Sequence, residues 1–238
     1  MNPSREPSDS AGYYDRGKGH FSQGKYEQAR HDFKHALRLD PSNVPALNGL
    51  AAVLVETGRP DEALVHLSEV LRLDPHYAKA YSNRGSILMN RGDVASAIED
   101  FSTSIRCDPT FVLGYLNRGG ALRKSGAIDA ALADFTEALR LEPDNVPAYR
   151  VRGALFARQD RYDEAIADFT AAIKLAPDSA DIYCDRGGVF FNQGDFASAE
   201  ADYSSVLRIN SNDAVAYRWR GLLYSQTDRC DEALAVFT

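Results

Sequence analysis

The hexapeptide ALRLDP at residues 36–41 recurs as VLRLDP at 70–75 and as ALRLEP at 138–143. Each copy ends on a proline, and Pro41, Pro75, Pro109, Pro143 and Pro177 stand 34 residues apart. A fixed spacing of this size marks a chain built from one supersecondary unit repeated in tandem. With the proline as place 32 of a 34-residue unit, the units begin at Ser10, Val44, Ala78, Val112, Val146, Ala180 and Ala214, the seventh being cut short at Thr238. Residues 1–9 are a polar N-terminal tail before a single array over 10–238.

Four columns read as the core. Place 20 is alanine in every unit (Ala29, Ala63, Ala97, Ala131, Ala165, Ala199, Ala233), and place 24 is Phe33, Leu67, Phe101, Phe135, Phe169, Tyr203 and Phe237. Place 8 is glycine except at Ala51, and place 4 is tyrosine except at Leu47. Places 4, 8 and 11 share one face of a first helix, and places 20, 24 and 27 one face of a second. Each unit is thus predicted to be a helical hairpin. Its turn carries Gly24, Gly58, Gly92, Gly126 or Gly194, or else Asp160 or Asp228, residues that tolerate the left-handed conformation ending a helix. The proline stops the second helix. Glycines inside helices cost about 0.8–1 kcal/mol each against alanine. The expected compensation is close approach of the paired helices, the place-8 glycine lying against the place-20 alanine.

The pattern of an aromatic, then Gly, Ala, Phe and finally Pro resembles the tetratricopeptide repeat place by place over residues 10–238. The resemblance implies an all-α solenoid of helix-turn-helix repeats forming a right-handed superhelix, its first helices lining a concave groove that holds a protein or peptide. One departure is consistent: the family's usual leucine just before the glycine is here mostly arginine.

That arginine column, at place 7, has its counterpart at place 23 of the second helix. Arg16 and Asp32, Arg84 and Asp100, Arg118 and Asp134, Arg152 and Asp168, and Arg186 and Asp202 occur together, whereas the second unit replaces both, with Leu50 and His66. Arg220 faces Val236 in the seventh. An arginine near the hairpin interior needs a carboxylate to offset its desolvation, so these are expected to be structural ion pairs within each unit.

The stretch HDFKH, residues 31–35, imitates a zinc-protease helix with aspartate for glutamate. The repeat phase assigns Asp32 to the ion-pair column and Phe33 to the core, leaving His31 and His35 without a third ligand. Cys107, Cys184 and Cys230 show no metal-ligand or disulfide spacing. No phosphate-cradling loop or nucleophile elbow is present, so neither catalysis nor a cofactor is implied. A net charge of −7 argues against coating nucleic acid or anionic membranes. The polar start and the lack of a bilayer-length apolar run make a cytoplasmic location the expectation.

Places 2, 5, 6, 9, 12 and 13 lie opposite the core face of the first helix and should meet a ligand. Asn48, Lys79, Asn83, Asn117, Arg123, Lys124, Arg150, Arg158 and Trp219 are the candidates. Asn83 and Asn117 share place 6 and offer amides that can grip an extended backbone, which is similar to the asparagine ladder of the repeats of O-linked N-acetylglucosamine transferase. The carboxylate clamp of heat-shock co-chaperones, lysine at place 5 with asparagine at place 9, is absent. A basic stretch from Arg123 to Arg158 in an acidic chain points to an acidic partner segment. The expected role is a non-catalytic interaction scaffold. The alternative is the targeting module of a larger enzyme, of glycosyltransferase or kinase type, with its catalytic part beyond Thr238. The hairpin cut short at Thr238 lacks a polar cap, which suggests self-association there or a longer protein.

Overall fold

The structure is a computed structural model and describes residues 7–227 and Arg229. The described residues form thirteen α-helices of 13 or 14 residues: α1 (Ser10–Ser22), α2 (Tyr26–Leu39), α3 (Val44–Glu56), α4 (Pro60–Leu73), α5 (Ala78–Asn90), α6 (Val94–Cys107), α7 (Val112–Ser125), α8 (Ile128–Leu141), α9 (Val146–Arg158), α10 (Tyr162–Leu175), α11 (Ala180–Gln193), α12 (Phe196–Ile209) and α13 (Ala214–Gln226). Odd-numbered helices are the first helices of successive repeats. The expectations placed on Asp228, Cys230, Ala233, Val236 and Phe237, and with them the self-association suggested by the end of the chain, lie outside the described residues.

Local chemistry sets the helix ends. Asp9, Asn43, Asn145 and Asp213 cap first helices by accepting from the backbone N–H of Gly12, Ala46, Ala148 and Ala216. Gly24, Gly58, Gly92, Gly126 and Gly194 turn between helices with φ of +70° to +88°, and Asp160 takes the same role at φ 57°. After the second helix, Asp40, Asp74 and Asp108 accept from the N–H two residues on, closing the turn at each proline.

The chain divides into two compact units, Met1–Ala127 and Ile128–Thr238. In the first, α1 to α7 stack so that each hairpin packs against the next; its core runs through Ala29, Phe33, Leu50, Val53, Leu67, Val70 and Ile87. In the second, α8 to α13 repeat the arrangement around Ala165, Phe169, Ala172, Ile182 and Val189, with Ala199, Tyr203 and Leu223 beyond.

Places 20 and 24 are buried in every described repeat, but two expectations for the first helix are corrected. Place 4 is core only in the first two repeats, where Tyr13 and Leu47 are buried; Tyr81, Tyr115, Tyr149 and Tyr183 are half-buried and Tyr217 is exposed. Places 3 and 10 are buried instead, by Ala46, Ala80, Ala148, Ile182 and Ala216 and by Val53, Ile87, Ala121, Leu155, Val189 and Leu223. The cause is packing. A first helix meets the preceding hairpin as well as its own partner, so its apolar arc is wider and rotated from the one an isolated hairpin needs. The tyrosines at the rim brace the loops, Tyr81 Oη donating to the Pro75 carbonyl at 3.1 Å and Tyr115 Oη to that of Pro109 at 3.2 Å.

The glycines, second, face the place-24 aromatic more than the alanine. A Cβ at Gly17, Gly85 or Gly187 would come within 2.7–2.8 Å of the ring of Phe33, Phe101 or Tyr203. At Gly153 the nearest atoms are the Phe169 ring at 3.2 Å and the Ala165 carbonyl oxygen at 3.3 Å. The second repeat satisfies the same constraint from the other side, with Ala51 at the glycine place and the smaller Leu67 at the ring place.

Candidate functional site

Arginines on the first helices open the question of which cations are committed to the scaffold. Arg16 Nε and Nη2 donate to the two carboxylate oxygens of Asp32 at 2.9 and 2.7 Å, and Arg84 does the same to Asp100 at 2.8 and 2.7 Å. In the second unit Arg152 and Asp168, and Arg186 and Asp202, repeat the bidentate geometry at 2.8 and 2.7 Å. All four aspartates are buried. Each guanidinium also lies over the tyrosine three residues earlier, 5.2–5.9 Å from its ring centre.

The arginines of three repeats have a further anchor. The outer nitrogen of Arg118, Arg152 and Arg186 donates to Ser102, Thr136 and Thr170 of the preceding repeat, at 3.2, 3.0 and 2.9 Å. One arginine therefore ties its own hairpin and the one before it. A Ser or Thr at place 25 was the available signal. Arg118 over Tyr115 and the buried Asp134 occupy the equivalent places of the fourth repeat. In the seventh, Arg220 Nη2 donates to Tyr224 Oη at 2.7 Å, which donates to Glu200 at 2.9 Å, with Arg229 closing on Glu200 at 2.6 Å.

At Asp32 burial pushes the carboxyl up, but the Arg16 guanidinium, helped by His31 and His20, outweighs it and holds the group below the ordinary aspartate value of 3.8. His66, in the repeat without the ion pair, is lowered by burial. His31 and His35 lie ring to ring at 4.4 Å, and His35 stacks on Tyr13 at 5.0 Å. Among the described residues no group of His, Cys, Asp and Glu is arranged to hold a metal ion.

On the first helices, among half-buried side chains and the buried Ser82, place 5 of one repeat meets place 6 of the next. Asn83 Nδ2 donates to Asn48 Oδ1 at 2.9 Å, and Asn117 Nδ2 to Ser82 Oγ at 3.0 Å, so α3, α5 and α7 carry two polar rungs within the first unit. Among the described residues the Asn48 amide nitrogen and the Asn83 and Asn117 amide oxygens have no protein partner, which leaves a donor and two acceptors on one face. In the second unit the rung is ionic. Arg150 Nε donates to Asp185 at 2.6 Å and Nη1 to Asp181 at 3.1 Å. Arg150, expected as a free groove cation, is therefore matched by two carboxylates, because place 6 of the next repeat is aspartate.

Lys79, Arg123, Lys124 and Arg158 are exposed and have no ion pair among the described residues. Trp219 is half-buried, edge-on to Phe191 at 5.6 Å and stacked on Tyr203 at 6.2 Å, with Arg218 over its ring at 5.7 Å. No helix among the described residues is long and apolar enough to cross a membrane.

Family models described as tetratricopeptide repeat match residues 20–71 and residues 53–110, 116–180 and 184–238. No curated protein matches the chain significantly. Among solved structures, the chain is similar to YrrB, a TPR protein with an unusual peptide-binding site, with a TM-score of 0.67 at 20% identity over 79% of this chain and 97% of that one. It is similar to PilF of Pseudomonas aeruginosa with a TM-score of 0.77 at 19% identity over 89% and 96%. With the APC/C hetero-tetramer Cut9-Hcn1 the TM-score is 0.74 at 21% identity, over 97% of this chain and 44% of the other. Identities of this size show a shared fold and nothing finer.

Proposed function

The chain belongs to the tetratricopeptide repeat family, whose arrays are protein-interaction scaffolds, and from that premise we propose that it is a non-catalytic adaptor gripping an extended segment of a partner protein along its first helices. The observation that carries this reading is the pair of rungs, Asn48 with Asn83 and Ser82 with Asn117. Each rung fixes the rotamers of its side chains. The donor and acceptors left over are then presented at the spacing of successive repeats, and an extended backbone needs such groups without regard to its side chains. The exposed Arg123 and Lys124 favour an acidic segment, since the chain as a whole carries −7. Arg150 does not contribute to this preference, being neutralised in place by Asp185 and Asp181.

The test is to pan a random peptide display library against the intact chain and against an Asn83→Ala, Asn117→Ala variant whose helicity by circular dichroism is unchanged. Peptides enriched on the intact chain should bind the variant about tenfold or more weakly, the loss of one to two backbone hydrogen bonds. Equal affinity for both proteins would remove the first-helix face as the binding site.

A further inference from the structure

Between α5 and α7, wholly within the first unit, lies an open hollow of about 270 Å³. Met89, Leu116 and the Phe101 ring give it apolar walls, Asn117 stands at its side, Gly120 opens its floor and Arg123 lines it with a charge. Its volume lies below the roughly 300–1,000 Å³ of sites for drug-sized ligands and suits a single side chain. Gly120 is the informative residue. Glycine is the poorest helix former after proline, and the place-8 glycines justify themselves by packing on a ring. A Cβ at Gly120 would meet nothing within 4 Å, so internal packing does not require the glycine there, and its missing side chain keeps the hollow open.

Resting on the peptide-scaffold reading, we propose that this hollow receives one aliphatic side chain of the partner segment and that Arg123 pairs with an acidic residue beside it in that segment. Charge selects the occupant. Arg123 and its neighbour Lys124 are exposed and without a carboxylate among the described residues, whereas Arg84 and Arg16, on the same unit, are spent on buried aspartates. Asn117, its nitrogen held by Ser82, keeps its oxygen for the N–H of the seated residue. The partner is thus a peptide in which leucine, isoleucine or methionine is flanked by aspartate or glutamate.

The probes are capped peptides Glu-Glu-Xaa-Glu-Glu with Xaa as Gly, Leu, Met or Lys, and a Lys-flanked leucine peptide, titrated by fluorescence polarisation against the full chain. Leucine and methionine probes should bind more than about tenfold better than the glycine probe. Gly120→Leu, whose Cβ has open space and whose side chain would occupy the hollow, should abolish that preference while the melting temperature holds or rises. Arg123→Glu should weaken the acidic leucine probe and strengthen the Lys-flanked one. If no probe binds, or if Gly120→Leu leaves the leucine preference intact, the inference is overturned. The scaffold reading is judged separately, since library peptides that lose affinity on Asn83→Ala, Asn117→Ala but not on Gly120→Leu would retain the face and discard the hollow.

Discussion

Gly85 lies against the edge of Phe101, so close that a Cβ at position 85 would sit 2.7 Å from Phe101 Cε1. The ring is buried between helices. Gly85→Ala gains helix propensity of about 0.8–1 kcal/mol but overpacks a tight site at about 1–3 kcal/mol, so a net loss of about 1 kcal/mol is expected in urea unfolding followed by circular dichroism. The second repeat shows how to relieve it. Gly85→Ala combined with Phe101→Leu reproduces Ala51 with Leu67 and should recover part of the loss relative to Phe101→Leu alone, giving a favourable coupling between the two sites.

Arg84 and Asp100 permit a second cycle. The aspartate is buried and the arginine about one-third exposed, so removing the arginine strands a carboxylate. Arg84→Leu should cost about 2–3 kcal/mol, the lower range for a pair that solvent partly screens. Adding Asp100→His copies the Leu50 and His66 combination and should return most of that cost, because replacing a whole ion pair by packed groups is often close to neutral. Additive losses in the double variant would show that the two residues do not act together.

Asp160 turns the fifth hairpin at φ 57°, where the other turns described use glycine. A side chain in this region costs about 1 kcal/mol, less for aspartate than for bulkier residues. Its carboxylate also accepts from Tyr162 Oη at 2.8 Å on the surface. Asp160→Gly should raise the melting temperature slightly, by about 0.5 kcal/mol in stability, whereas Gly92→Ala should lower it. Loss of stability in Asp160→Gly would mean that the tyrosine bond outweighs the backbone strain.

The Asp32 carboxyl titrates below its ordinary value of 3.8 in the folded chain, so the folded state binds its proton less readily than the unfolded state. Its contribution is fully present above the unfolded value and is lost as pH falls through the folded one. Asp32→Asn should therefore destabilise the protein at neutral pH, and the gap between it and the parent should narrow below about pH 4. Urea midpoints for the two proteins across that range check this, and a gap independent of pH would show that the carboxylate charge is not what matters.

Much of the fold is written in single columns. The proline at place 32, the turn glycines and the alanine and aromatic of the second helix are local or one-sided demands, and a 34-residue period makes them legible. The first helix is less legible in a single repeat. Its burial at places 3 and 10 depends on the preceding hairpin, which no single repeat records, so place 4 reads as core throughout although, beyond Tyr13 and Leu47, its tyrosines sit at the rim. The site shows the same limit. Asn83 and Asn117 stood out by type, but their rungs to Asn48 and Ser82, and the capture of Arg150 by Asp185, join residues 35 apart. Only stacking brings these together. Gly120 is one of seventeen glycines in the sequence, and only the open space beside it distinguishes it from those that pack on a ring.

The second repeat has Leu50, Ala51, His66 and Leu67 where its neighbours have Arg, Gly, Asp and Phe, so both members of each facing pair change together. Near-identical hairpins invite a first helix to dock on the wrong second helix while the chain is folding. Ala51 on α3 cannot lie against a place-24 phenylalanine without the overlap that glycine avoids, and an arginine from another repeat would find on α4 a histidine in place of a carboxylate. The facing columns of α3 and α4 are therefore matched to each other and mismatched to the arginine and phenylalanine columns of the other repeats.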